Sequence, residues 1–256
     1  MAETDALHDA GMPARLDPQV VPPTPPGEMS LVDHLVELRN RLIKVVIAIA
    51  VCSIVGFIFG DPIVGFLKAA IPGGKPLYFT GLGDAFVIKL KIAIVVGVII
   101  SMPVLLFQIW RFVAPGLTAA ERRVVRPWLP LAFVFFAIGT TIAYVILPFA
   151  AGFLVSFSTN DLQPLITAGE YFNFVTAMFL AFGLIMEFPI LLYGLSRVGI
   201  VTSQRLTAAR RPAILGIAIF ATAITPGGDL VSPTVLGLTM YLLFEGTIFF
   251  IRRSGK

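Results

Sequence analysis

Apolar residues gather along this chain into six runs, at about 42–59, 92–113, 131–148, 172–196, 213–225 and 231–251, separated by polar, charged and proline-bearing stretches. A bilayer core of about 30 Å is crossed by roughly 20 helical residues. Only an element that satisfies its own backbone can lie in lipid, so each run predicts an α-helix. Six crossings leave both termini on the same side. The first, third and fifth runs are short. Run 213–225, with 13 residues, rises only about 20 Å at ~1.5 Å per residue. It spans only where tilted neighbours shield it or the bilayer thins. The expected fold is an all-α integral membrane protein of six transmembrane helices, with helices five and six short.

The segments between the runs have patterns of their own. In SLVDHLVELRNRLIK, 30–44, residues Leu31, Leu35, Leu38, Leu42 and Val45 recur at helical spacing, and Asp33, Glu37, Arg41 and Lys44 take the other face. One reading is a solvated interfacial helix with a Glu37–Arg41 pair at i,i+4, worth about 0.3–0.5 kcal/mol. The other holds Glu37 at the membrane surface to pair with a basic ligand. In FVAPGLTAAERRVVRP, 112–127, Pro115-Gly116 marks a turn and Thr118 with Glu121 makes a capping-box pattern. A Glu121 carboxylate that caps Thr118 with one oxygen can still bind a ligand with the other. In TPGGDLVSP, 225–233, Ser232 as N-cap with Pro233 behind it would start the sixth helix. Asp229 is placed there either to cap or to contact a partner.

Composition makes lipid the solvent. Hydrophobic residues are 57% and charged residues 13% of the chain, and mean hydropathy is +0.91. A soluble domain carries about 25% charge. Residues 1–29 differ in kind, with six prolines and no apolar stretch. They read as a disordered cytosolic tail and not as a signal peptide. The membrane domain is expected over 30–251 and a short C-terminal tail over 252–256. Fifteen of the nineteen Lys and Arg residues fall on the side of the termini, and only Lys68, Lys75, Lys89 and Lys91 fall opposite. The termini are therefore expected in the cytoplasm, with loops 60–91, 149–171 and 226–230 outside.

No catalytic constellation is written in the chain. Ser196 sits in GLSR and not in a G-x-S-x-G elbow, and Gly73-Gly74-Lys75 runs into Pro76 without the Ser or Thr of a phosphate loop. The lone Cys52 and the two histidines, His8 and His34, offer no zinc site. No enzyme, cofactor or nucleic-acid partner is expected. No repeat of the first three spans is seen.

One carboxylate interrupts the fourth run. Between Tyr171 and Ser196 the only ionisable side chain other than tyrosine is Glu187, followed by Pro189. At 100° per residue, Asn173, Thr176, Leu180, Gly183 and Glu187 share one side of an ideal helix. A charge near mid-bilayer costs several kcal/mol, so Glu187 is expected to be protonated or reached by water. Pro189 is expected to kink the helix. Either Glu187 is satisfied by a polar group such as Gln108 or Thr141, or it offers a contact to a docking helix. Glu245, seven residues before Arg252, reads as a snorkelling or structurally paired acid. A rival reading makes Glu187 and Glu245 the relay of a proton-coupled small-solute transporter, and a third is a scaffold that binds no signal.

Taken together, DHLVELRNRL, FVAPGLTAAERR, FAIGTTIAYVILP, FGLIMEFP, TPGGDLVSP and MYLLFE, in this order, resemble the TatC family over about 30–251. That family is the polytopic receptor subunit of the twin-arginine protein translocase. The resemblance implies a prokaryotic plasma-membrane protein with a concave, cupped bundle. It implies binding of twin-arginine signal peptides of folded cargo, drive by the proton gradient or membrane potential, association with TatA/TatB-type single-span subunits, and self-association. By position, Glu37 in the ELR stretch and Glu121 in the ERR stretch match the family's signal-binding acids. Glu187, with Pro189 and Thr176 beside it, matches the groove where partner helices are contacted. Pro233 stands where some members carry a polar residue, so a partner contact there falls to Asp229, Ser232 or Thr234. Arg41 and Glu245 are secondary polar candidates.

Overall fold

A computed structural model describes residues 31–159, 161, 163–197, 199–225 and 228–253. The expected tail, 1–29, lies outside the described residues. The chain divides into two compact units, Met1–Glu37 and Leu38–Lys256. Of the first, the described part is the opening of helix α1.

Ten helices are formed among the described residues: α1 (Leu31–Ile58), α2 (Gly60–Lys68), α3 (Asp84–Val113), α4 (Ala119–Val125), α5 (Trp128–Ser156), α6 (Ala168–Ile185), α7 (Phe188–Arg197), α8 (Ser203–Ala208), α9 (Arg210–Ile224) and α10 (Val231–Arg253). Five helical stretches are long and apolar enough to cross a membrane: Val32–Ile58, Asp84–Gly116, Trp128–Ser156, Ala168–Arg197 and Val231–Arg253. The chain is an all-α, multi-pass membrane protein.

Helix lengths depart from the run lengths in an instructive way. The first and third runs look short, yet α1 has 28 residues and α5 has 29. Apolar runs mark only the hydrocarbon depth, and the helices continue through the headgroup layer on amphipathic or small residues. For the same reason Lys89 and Lys91, expected in a loop, lie on α3, where Lys89 pairs with Asp61 of α2 at 2.7 Å. Of the two helices expected to be short, α9 has 15 residues and α10 has 23, enough to span.

Within the second unit, α6 is the central helix and packs against α3 and α5. Lipid tails are as apolar as the side chains, so helices in lipid associate by close packing and polar contacts more than by the hydrophobic effect. Glycines supply that closeness. A Cβ on Gly139 of α5 would stand 2.4 Å from the Phe182 carbonyl oxygen, and one on Gly183 of α6 would stand 2.7 Å from the Phe136 ring. Phe136 and Phe182 are each 1% exposed. The two helices thus interlock, each ring or carbonyl filling the hole left by the other's glycine. A second close crossing joins α1 to α3, where a Cβ on Gly97 would overlap Ser53 and one on Gly56 would stand 2.9 Å from the Ala93 carbonyl oxygen.

The connections between α2 and α3 and between α5 and α6 are clasped together. The Tyr78 N–H donates to the Ile166 carbonyl at 3.1 Å, and the Ala168 N–H donates to the Tyr78 carbonyl at 2.8 Å. The Tyr171 hydroxyl, buried on α6, donates to the Leu67 carbonyl at the end of α2 at 2.6 Å.

Helix α4 has seven residues, too few to be stable alone. Its start is fixed by a full capping box. The Thr118 N–H and hydroxyl both donate to Glu121 Oε2, at 2.9 and 2.8 Å, and the Glu121 N–H returns to Thr118 Oγ1 at 3.4 Å.

Three consequences can be measured on the purified protein in detergent. Gly139→Val should lower the unfolding temperature, in line with an overpacking cost of about 1–3 kcal/mol. Gly216→Ala on α9, where the added methyl meets nothing within 4 Å, should leave it unchanged or raise it, by up to about 1 kcal/mol. Thr118→Ala should cost α4 about 1 kcal/mol, read as roughly fivefold faster hydrogen exchange at its first-turn amides, with exchange in α5 unaltered.

Candidate functional site

Glu121 sits on the short α4, half-buried, at the turn between two spans. Both side-chain bonds of the capping box converge on Oε2, so the box occupies one oxygen of the carboxylate. Capping therefore positions the acid as well as the helix. Its neighbour Arg122 turns back to the preceding turn, where Nη2 donates to the Ala114 carbonyl at 2.7 Å. Glu37 belongs to the first unit. It is half-buried on α1. Four residues on, Arg41 makes a long bond of 3.4 Å to Gln108 Oε1 on α3.

Glu187 lies where the fourth apolar run breaks. α6 ends at Ile185 and α7 begins at Phe188. Pro189, buried at the start of α7, has no N–H for the Ile185 carbonyl. The chain bridges the gap with bonds from the Met186 N–H to the Phe182 carbonyl and from the Glu187 N–H to the Leu184 carbonyl, at 3.3 and 3.1 Å. Glu187 lines an apolar cavity of about 390 Å³, walled by residues of α3, α5 and α7 that include Trp110, Val113, Leu129 and Leu191. Its Oε1 is buried without a hydrogen-bond partner. The two candidate partners are otherwise engaged. Gln108 accepts from Arg41, and the Thr141 hydroxyl donates to the Ala137 carbonyl at 2.7 Å.

The residues expected along one side of the fourth span line no common cavity. Thr176 is buried, and its hydroxyl donates to the Phe172 carbonyl at 2.6 Å. It lines a different, smaller cavity with Ile92, Val95 and Phe179. Asn173 accepts a hydrogen bond from Lys91 Nζ, and Gly183 receives the Phe136 ring. Glu187 lies beyond the end of α6 at Ile185 and lines a separate cavity.

Asp229, only 3% exposed, is a cap. Its Oδ1 accepts from the Ser232 N–H at 2.6 Å, and its Oδ2 is buried without a partner. Ser232 is not the N-cap expected from sequence, since α10 already begins at Val231. The Ser232 hydroxyl points inward to the Met178 sulfur, at 3.7 Å. With Thr225, Thr234 and Tyr241, Asp229 lines a cavity of about 440 Å³ between α9 and α10.

At the opposite ends of these two helices, Glu245 Oε2 accepts from Arg210 Nη2 at 2.6 Å, and Arg252 Nη2 donates to the Thr207 hydroxyl at 2.8 Å. Arg210 was not legible as a partner of Glu245, 35 residues away. Nor was the stack on α7, where the Trp128 and Tyr193 ring centroids are 3.9 Å apart and the Arg197 guanidinium lies over the Tyr193 ring, 4.8 Å from its centroid. No group of three or more His, Cys, Asp or Glu able to hold a metal is formed among the described residues.

The family model described as "Sec-independent protein translocase protein (TatC)" matches residues 33–238. A relative from Carboxydothermus hydrogenoformans, named Sec-independent protein translocase protein TatC, is 36% identical over 223 residues, which are 86% of this chain and 92% of the relative. A protein of that name from Frankia casuarinae is 39% identical over 234 residues, 86% of this chain, and the chain spans 64% of its length. A crystal structure of the twin-arginine translocase receptor TatC in DDM superposes with a TM-score of 0.75 at 32% identity, covering 85% of this chain and 99% of that one. The chain belongs to the TatC family of Sec-independent protein translocase proteins, as a multi-pass membrane protein of prokaryotic type.

Proposed function

We propose that this chain is the signal receptor of a twin-arginine translocase, binding the Arg-Arg signal of folded cargo through Glu37 and Glu121 and recruiting TatA/TatB-type single-span subunits around an oligomeric core. The observation that carries the reading is the likeness to a solved twin-arginine translocase receptor across nearly its whole length. The placement of the residues supports it, since Glu37 lies in the ELR stretch of α1 and Glu121 in the ERR stretch of α4 between two spans, both half-buried. Guanidinium groups favour carboxylates because the planar fork matches the acceptor geometry, and such charge-assisted bonds are about twice as strong as neutral ones.

In this reading α9 is a sixth crossing. Its 15 residues rise about 22 Å, so the bilayer must thin or neighbours must shield it. Both termini then face the cytoplasm with the arginine-rich turns, and residues 30–251 form the membrane domain between two cytosolic tails, 1–29 and 252–256. Glu187 with Pro189 forms a polar contact point for a partner's helix, and Asp229 forms another between α9 and α10. Thr176 takes no direct part, since its hydroxyl is bonded and buried.

The transporter reading requires a proton path joining Glu187 to Glu245. Glu245 is tied to Arg210, and Glu187 lines a cavity walled by other helices. Purified protein in liposomes, without partners, should move no solute.

The direct test is photocrosslinking of a labelled signal peptide to membranes that contain the full chain. An Arg-Arg signal should crosslink beside Glu37 and Glu121, and its Lys-Lys version should fade. Glu37→Ala and Glu121→Ala should each weaken binding at least about tenfold, as expected for losing a charge-assisted bond of about 1.5–3 kcal/mol. Unchanged crosslinking in both variants would sink the assignment. Glu187→Ala should spare the signal crosslink and reduce crosslinks to a single-span partner.

A further inference from the structure

The turn from α3 through α4 into α5 carries three arginines with no role in the reading above. Arg122, Arg123 and Arg126 are exposed, and none forms an ion pair with a described carboxylate. They line a cleft of about 670 Å³ with Ala119, Pro127 and Pro130. Arg122 and Arg126 stand four apart, on one face, where like charges repel. The Arg122 bond to the Ala114 carbonyl fixes one guanidinium at the rim and leaves its charge uncompensated.

The depth of the cleft identifies its ligand. The chain has two tryptophans, Trp110 and Trp128, and both line the cavity beside α4. Trp128 stacks on Tyr193. Trp and Tyr collect at the membrane–water boundary. Arg126 precedes Trp128, the first residue of a span, by two positions, so these guanidinium groups stand at headgroup level. Pro127 and Pro130, both exposed, give the cleft an apolar wall where acyl chains begin.

We propose that this cleft binds the phosphate-bearing headgroup of an anionic phospholipid. Guanidinium forks match phosphate oxygens in geometry and charge. A site at the bilayer edge meets lipid phosphate at far higher local concentration than any soluble anion. The bound headgroup neutralises the cluster and anchors the α3–α4–α5 turn at the membrane surface. This site depends on the span ends and the arginines, and not on the signal-receptor reading.

The test is native mass spectrometry of the full chain in detergent, titrated with phosphatidylglycerol, with phosphatidylcholine, and with phosphatidylglycerol in the presence of millimolar inorganic phosphate. Phosphatidylglycerol should bind more tightly than phosphatidylcholine and should resist displacement by phosphate. The double variant Arg123→Gln, Arg126→Gln leaves Arg122 and its bond in place. It should raise the Kd for phosphatidylglycerol roughly fivefold per arginine removed, and Arg126→Gln alone should give about one such step. Removing two charges elsewhere, with Arg252→Gln and Arg253→Gln, should leave that Kd unchanged. The proposal is overturned if the Arg123/Arg126 variants bind phosphatidylglycerol normally, or if the Arg252/Arg253 variant weakens it equally. It is also overturned if inorganic phosphate displaces the lipid readily, which would make the cleft a soluble-anion site.

Discussion

The interlock of α5 with α6 is the contact on which the rest of the second unit depends. In lipid no solvent drives two apolar helices together, so their pairing must be won by distance. Gly139 and Gly183 allow it. The Phe182 carbonyl approaches where one Cβ would be, and the Phe136 ring lies where the other would be. With this pair fixed, α6 presents Tyr171 to the end of α2, Met178 to the start of α10, and its remaining faces to α3. Half of the fourth span is buried in the protein, against about a third or less of the other four, as a central helix requires.

A second constraint follows from Pro189. The missing N–H ends α6 at Ile185 and restarts the chain as α7. At this break Glu187 lines the wall of an apolar cavity beside Trp110 and Leu129. Burying a polar oxygen without a partner costs stability, and proteins keep such a group inside a membrane chiefly where it has work to do. The helix break thus lies beside the acid that interrupts the central span.

The polar groups at the helix ends act by a third rule. Short helices and exposed turns lack packing, so hydrogen bonds set their geometry. Thr118 and Glu121 fix α4, Asp229 fixes the start of α10, and Arg210 with Glu245 joins the far ends of α9 and α10. The backbone bonds around Tyr78 do the same for two long connections. Each holds a chain segment that the apolar core does not reach.

The sequence by itself determined the solvent, the all-α class and the place of five membrane-crossing helices. Apolar runs of bilayer length admit only helices, because lipid offers no partner to an open backbone. It also determined the capping box, a local pattern spanning four residues, and the kink at Pro189, a covalent property of one residue. The family was legible because its motifs are local and ordered. What only the tertiary structure decided was everything that joins distant residues. No local pattern pairs Arg210 with Glu245, sets Phe136 over Gly183, or gives Asn173 to Lys91. Nor does a helical count say which neighbours the polar residues of the fourth span meet, and Thr176 and Glu187 line different cavities. Local chemistry fixes where helices form and end; close packing across the chain fixes which side chains then meet.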